Sequence, residues 1–388
     1  MRVLTFLLAL LVLGLSAQAD AAANQTIEEP RIRSGSTRLF SSGGGNAAFT
    51  RGVEALLVNP AAYTGAGELA LIAAGASLYA SPDQVLRAPV AVLTGDALPL
   101  FGSASRVFAD RITREGIGFG GMAGLGYAGN SLGLGIISEF DAFLREENGV
   151  VEGQFVAEAG LTGGLALGFD LGPFAVSVGA DIRPFIRMRA DISDPDQVDA
   201  FLAGQPFFEA FADAPTLNGF GLGLNAGFTA AYRAFTLGFV VRDLGGTQIV
   251  YREHPLGEVI TSALSGVLPP GGAGAGELYD PDANYVLPSQ TRVGLAWVPD
   301  FGPIVAPVAY LELVDLHRVG RSDTDPADVF SAGGQLTLGQ FLTLRGGVNA
   351  HGFGAGAGIR FGVLNLDGGI SFGRSSAPQA GLDLSIRF

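Results

Sequence analysis

The chain ends in GLDLSIRF, Gly381 to Phe388. Leu382, Leu384, Ile386 and Phe388 alternate with Asp383, Ser385 and Arg387. Successive strand residues point to opposite faces, so this stretch predicts a strand with one apolar and one polar face. The alternation runs to the last residue, where a soluble domain usually lets its chain fray. The two faces therefore meet two different media, and the rest of the chain says which.

The same alternation recurs upstream. Leu364, Leu366, Ile370 and Phe372 alternate with polar or small residues, as do Phe235, Leu237, Phe239 and Val241, and Phe174, Val176, Val178, Ala180 and Ile182. Fourteen such segments are predicted, near 68–79, 116–127, 131–145, 150–170, 174–190, 217–232, 234–246, 289–298, 305–318, 329–338, 341–349, 354–361, 364–372 and 381–388. Their lengths suit tilted strands crossing a bilayer. Connections alternate too. Those after even strands are tight (Ala128–Asn130, Gly172–Pro173, Arg233, Gly339–Gln340, Gly362–Val363), and several after odd strands are long (Ala80–Glu115, Asp191–Thr216, Thr247–Pro288, Gly320–Asp328). Short turns on one side and long loops on the other are the pattern of outer-membrane barrels. An open sheet edge does not survive in hydrocarbon, so the last strand is expected to pair with the first. The predicted fold is all-β, a transmembrane antiparallel barrel of about fourteen strands.

Composition agrees. The 388 residues include 59 Gly and 27 Phe, with 48% hydrophobic and 15% charged residues. After the N-terminus no apolar run is long enough for a membrane-crossing helix. Cysteine is absent, which removes thiolate metal sites and thiol nucleophiles. A net charge of −14 argues against nucleic acid as a partner. Arg2, the apolar run Val3 to Leu15 and Ala17-Gln18-Ala19 read as a signal peptide over residues 1–19. Helix-like stretches in the long loops are expected at Ala97–Glu115, Asp194–Asp213 and Leu256–Leu268; the second carries Phe201, Phe207, Phe208 and Phe211, a candidate ligand-capture surface. Their alternative role is to cover the barrel mouth.

Residues 20–67 do not alternate. They hold LFSSGGGNAAFTRGVEALLVNPAAYTG, Leu39 to Gly65, in which Gly43, Gly44 and Gly45 allow a tight backbone and Asn59-Pro60 stops a short helix-like piece at Val53–Val58. A Gly-rich stretch, a short apolar segment and then Asn59-Pro60-Ala61, placed between a signal peptide and a fourteen-stranded barrel, resembles the FadL-type long-chain fatty acid transporters and their PorV-type and spirochaetal relatives. Tyr285 to Trp297 (YVLPSQTRVGLAW) and Leu344 to Gly373 are similar to late strands of that group. The resemblance implies that residues 20–67 form a hatch folded into the lumen, that 68–388 form the barrel, and that hydrophobic ligands bind near the extracellular mouth and pass inward or sideways through the wall. It also implies Phe388 as the end of an assembly signal. The partners expected are outer-membrane lipid, a hydrophobic small molecule and the assembly machinery. A PorV-like docking role without transport is the alternative, with a general porin behind it.

Inward-pointing candidates are Arg183, Arg242, Arg292, Arg345, Arg360, Asp367 and Arg387, together with Asp181, Glu312 and Asp383. They suit either a carboxylate passing through the lumen or a mixed-charge ladder bracing it. Gly116 to Gly121 matches G-x-G-x-x-G, but alternation places it in a strand, away from the β-α-β context that dinucleotide binding needs. His254, His317 and His351 lack zinc-ligand spacing. Asp323, Asp325 and Asp328 form an acidic loop. No enzyme activity, cofactor or metal is expected.

Overall fold

The computed structural model describes residues 25–32, 36–79, 116–147, 150–203, 205–264, 283–302, 304–319, 326–350, 352–373 and 378–388. The predicted signal peptide, the helix expected at Ala97–Glu115, and Asp323 and Asp325 lie outside them. In chain order, strand β1 (Gln25–Glu28) precedes α1 (Thr37–Ser41), a 3₁₀ turn (Gly52–Glu54), α2 (Ala55–Val58) and a second 3₁₀ turn (Pro60–Thr64). The wall follows: β2 (Glu68–Tyr79), β3 (Ile117–Gly129), β4 (Leu132–Glu147), β5 (Val150–Leu171) and β6 (Phe174–Ile192). Helices α3 (Pro195–Leu202) and α4 (Phe207–Ala210) lead to β7 (Pro215–Tyr232), β8 (Phe235–Arg242) and β9 (Thr247–Pro255). Helix α5 (Leu256–Leu264) is followed by β10 (Ala283–Leu287), β11 (Gln290–Trp297) and β12 (Val305–Val314). A 3₁₀ turn (Leu316–Arg318) and α6 (Pro326–Val329) precede β13 (Phe330–Leu338), β14 (Leu342–Asn349), β15 (Gly352–Phe361), β16 (Leu364–Gly373) and β17 (Gln379–Arg387).

Apart from β8–β9 and β10–β11, each wall strand pairs antiparallel with its chain neighbour, and β17 pairs with β2. Phe388 and Leu69 exchange backbone hydrogen bonds at 2.9 and 3.0 Å, so the final residue is part of the seam. β7 carries β8 on its lower half and β9 on its upper half, and β8 and β9 pair in turn with β11 and β10. These four segments are two interrupted strands, and the closed barrel has fourteen. Tight turns at one end follow from residues that tolerate left-handed backbone. Asn130 and Ser131 have φ of 50° and 71°, and Gly339 and Gln340 have 57° and 65°, the two-residue geometry that matches strand twist.

Alternation sorts the faces as expected. On β5, Leu161, Leu165, Leu167, Phe169 and Leu171 are exposed on the outside, and on β7 Phe220, Leu222 and Leu224 are. Asp181, Asn225, Glu312, Asp367 and Asp383 are buried on the inside. Aromatic pairs such as Phe174–Tyr232 and Trp297–Phe301 sit by the tight turns, as in the girdle of a membrane barrel.

Four details differ from the sequence reading. The stretch 247–288 was expected as loop, yet it contributes β9 and β10 to the wall. β8 stops at Arg242 because Asp243, Gly245 and Gly246 adopt φ of 48°, 79° and 83°. The strand expected to reach 318 stops at Val314, where Asp315 turns left-handed. β1 is an added strand, parallel to β10.

Charge on the lipid face of such a barrel costs about 2–4 kcal/mol near mid-bilayer. Leu167→Arg is therefore expected to destabilise the folded barrel by about that amount in urea titrations in lipid vesicles, whereas the lumen-facing Ser177→Arg should cost much less. Equal costs would mean that the two faces are misassigned.

Candidate functional site

Residues 36–65 lie inside the barrel and touch strands around its circumference. The corner at Asn59 is built from its own side chain. Asn59 Nδ2 donates to the Ala47 carbonyl at 2.6 Å, and Oδ1 accepts from the Ala61 amide at 3.0 Å. Pro60 opens the following 3₁₀ turn, where no N–H is required. The wall makes room with glycine. A Cβ on Gly179 would lie 2.5 Å from the Pro60 carbonyl, and one on Gly227 would strike the Asn59 side chain. Gly43 and Gly44 have φ of 82° and 108°. The Gly43 and Gly45 carbonyls accept from Asn349 at 3.1 Å and Arg292 at 3.3 Å.

Two charge networks tie this segment to the wall. In the first, Glu54 pairs with Arg38 at 2.6 Å and Arg387 at 2.9 Å, while Arg387 also reaches Glu68 at 3.2 Å. Arg345 pairs with Asp367 at 2.5 Å, and Arg38 lies 3.8 Å from the same carboxylate. Burial alone would push the Glu54 carboxyl up, but Arg38 and Arg387 outweigh it and hold it down at about 2. In the second network, Arg31 and Arg183 share Asp243 at 2.7 and 3.1 Å, and Glu158 bridges Arg183 and Arg187 at 2.9 and 3.2 Å. Glu29 sits between Arg187 and Arg189 at 3.4 and 3.2 Å. The interruption of the wall at 243–246 turns Asp243 inward to make these contacts, a usual role for an irregularity in a strand. Asn225 and Asp181 continue the chain of hydrogen bonds to the Tyr63 hydroxyl.

Between the inserted segment and the wall lies a cavity of about 320 Å³. Leu39, Phe40, Leu57 and Val58 line it from the segment; Arg31, Arg183, Arg187, Arg242 and Arg292 line it too, together with Glu139 and Glu158. Arg292 pairs with Glu312 at 3.6 Å. Arg242 interacts with the Asp243 charge at longer range but makes no contact ion pair and donates no side-chain hydrogen bond among the described residues, and it lines the cavity. The cavity thus combines apolar side chains with arginines that outnumber the carboxylates Glu139 and Glu158, a fit for a molecule with an apolar body and an anionic end.

A second, narrow cleft of about 40 Å³ joins segment residues Val53, Leu56 and Leu57 to outward-facing Leu125 and Leu384. It runs past Ala70, Ala73, Gly124 and Gly126, beside a bulge at Leu71 and Ile72 in β2. Ala70, Ala73, Ala74, Gly124 and Gly126 keep many of the wall side chains small there.

At the long-loop end, α3 begins with Asp194 capping the Asp196 amide and Pro195 at its first position. With α4 and α5 it packs on Ala142, Leu144, Phe155, Ala190 and Ile192. These have the same parity as the lipid-facing residues lower on their strands, so the helices cover the outer face of the wall. Phe211 and Phe207 are 0% and 9% exposed inside this cluster, Phe201 packs against it, and Phe208 is 48% exposed.

Of the inward residues read from the sequence, Arg183 and Arg242 meet Arg292 at the cavity, while Arg345, Asp367 and Arg387 belong to the first network. Arg360 stands apart, exposed at the tight-turn rim and donating to Gly362. Missed were Arg31, Glu29, Glu158 and Arg187. Arg187 has the parity of Asp181 and Arg183, so continuing the alternation would have found it.

No family model matches the chain, and no curated protein does. Among solved structures it is similar to the CymD monoaromatic hydrocarbon channel, at 14% identity and a TM-score of 0.47 over 89% of this chain and 94% of that one. It is similar to the Pseudomonas putida toluene transporter TodX at 13% identity and 0.42, over 94% and 98%. The translocator domain of the autotransporter NalP from Neisseria meningitidis matches at 11% and 0.36, over 83% and 88%.

Because Glu54 titrates lower in the folded barrel, its stabilising effect is full above 4.5 and is lost as pH falls toward about 2. Single-barrel conductance in planar bilayers is expected to rise over that window in the parent protein. In Glu54→Gln it should already be raised at neutral pH, since breaking a buried pair costs about 3–5 kcal/mol. A conductance indifferent to both would show that this network does not hold the segment.

Proposed function

We propose that this protein is an outer-membrane channel for passive uptake of hydrophobic compounds, in particular long-chain fatty acids or similar amphipathic acids. The observation that carries this reading is the lumenal cavity lined both by Leu39, Phe40, Leu57 and Val58 and by Arg242 and its neighbouring arginines, which outnumber Glu139 and Glu158 there. An aliphatic chain gains about 0.8 kcal/mol per buried CH₂ against the first group. A carboxylate forms a charge-assisted pair with the second. Residues 20–67 act as the hatch, with the corner Asn59-Pro60-Ala61 seated against the wall and the Gly43-Gly44-Gly45 bend at its centre. The tight-turn end is periplasmic, so the aromatic cluster around Phe207 lies above the outer leaflet, where Phe208 offers compounds a first contact. The cleft beside the β2 bulge supports a sideways exit past the hatch. The chain moves its ligand without covalent chemistry. Residues 1–19 direct export, and the seam strand ending at Phe388 is read during assembly.

Titration of purified, delipidated barrel with dodecanoate and dodecanol tests this. Saturable dodecanoate binding is expected, and Arg242→Gln should weaken it by about 1.5–3 kcal/mol, the worth of a charged hydrogen bond, while leaving dodecanol unchanged. No binding above empty micelles would refute uptake and favour the docking alternative.

A further inference from the structure

β1 is parallel to β10 in a sheet that is otherwise antiparallel. The reason lies in the wall. β12 pairs with β11 only as far as Arg292↔Val314, and Asp315 then turns the chain away. Among the described residues, β10 above that point pairs with β9 on one side and has no pairing with β12 on the other. β1 covers this edge with four residue pairs, Gln25↔Ala283 to Glu28↔Val286, and the Glu29 amide adds a bond to the Val286 carbonyl at 2.9 Å.

Four pairs make a short ladder, and the residues that follow supply its anchor. Buried Glu29 is held by Arg187 and Arg189. Arg187 also donates to the Pro30 carbonyl. Arg31 binds Asp243 at 2.7 Å and the Pro288 carbonyl at 2.5 Å. Arg31 and Arg187 both line the cavity that holds Arg242. The groups that fasten β1 are thus within the site itself.

We propose that β1 with residues 29–31 is a displaceable strap over the open edge of β10, released when an anionic ligand in the cavity competes with Asp243 and Glu29 for Arg31 and Arg187. The competing anion rests on the functional reading above; the strap over the edge does not. Release would uncover a notch between β10 and β12 at the long-loop end, toward the outer leaflet.

The chain has no cysteine, so introduced thiols report cleanly. In Ile27→Cys barrels, a charged maleimide should label position 27 faster when Glu29→Gln is added, by about fivefold or more if the anchor controls local opening. Dodecanoate should accelerate labelling of Ile27→Cys alone, and dodecanol should not. In Thr26→Cys/Asn284→Cys barrels, whose positions face each other in register, oxidation should slow dodecanoate uptake and reduction should restore it. Unchanged labelling in the Glu29→Gln background, or equal uptake by locked and unlocked barrels, would overturn the strap. Faster labelling with Glu29→Gln, but no binding of dodecanoate to the parent barrel, would overturn the functional reading and the competition together while supporting the strap as a contact.

Discussion

Every backbone amide in the hydrocarbon layer needs a partner within the protein, and the rest of this structure follows from that requirement. It closes the wall through β17 and β2 and draws Phe388 into the seam. It also fixes the faces. Once a strand is paired on both edges, its alternate residues have only two destinations, lipid or lumen, and a one-residue slip would exchange them. Where the wall does not close itself, as along β10 above β12, another strand covers the edge, and that strand is β1.

A closed fourteen-stranded wall leaves a lumen too wide for its own side chains to fill. The N-terminal segment occupies part of it, and charge holds the segment in place. Buried ion pairs are weak evidence of net stability, because each charge gives up water to be there. They are strong determinants of position, since removing one partner strands the other. That logic gives Arg242 its weight. Around it, Arg31, Arg183 and Arg292 form contact ion pairs with Asp243, Glu158 and Glu312, while Arg242 lines the cavity within reach of the Asp243 charge but in no contact ion pair among the described residues.

The wall was legible in the sequence because its rule is local. Alternation marked β5, β6, β7 and the last five strands to within a few residues, and turn glycines such as Gly172 and Gly362 marked their ends. β9 and β10 were not legible, because Asp243–Gly246 and the break before β11 interrupt the period that signals a strand. β1 had no local signal at all: its partner is remote and its length is four residues. The inward arginines were found by parity, but their pairing was not, since Arg31 and Asp243 are brought together only by the path of the inserted segment. The phenylalanines of 201–211 stood out as apolar; that two of them are buried against the outer wall depends on Ala142, Phe155 and Ile192, far away in sequence. Glycines along the strands read as weak alternation, whereas Gly179 and Gly227 are the spaces into which Asn59 and Pro60 fit.

The central claim is that the lumenal cavity is a ligand site lined by apolar and cationic side chains. An experimental structure of the barrel soaked with dodecanoate tests it most directly. The account predicts one elongated density, its carboxylate on Arg242 and its tail along Leu39, Phe40, Leu57 and Val58. Density confined to the outside of the wall, or a cavity holding only ordered water at saturating ligand, would contradict it.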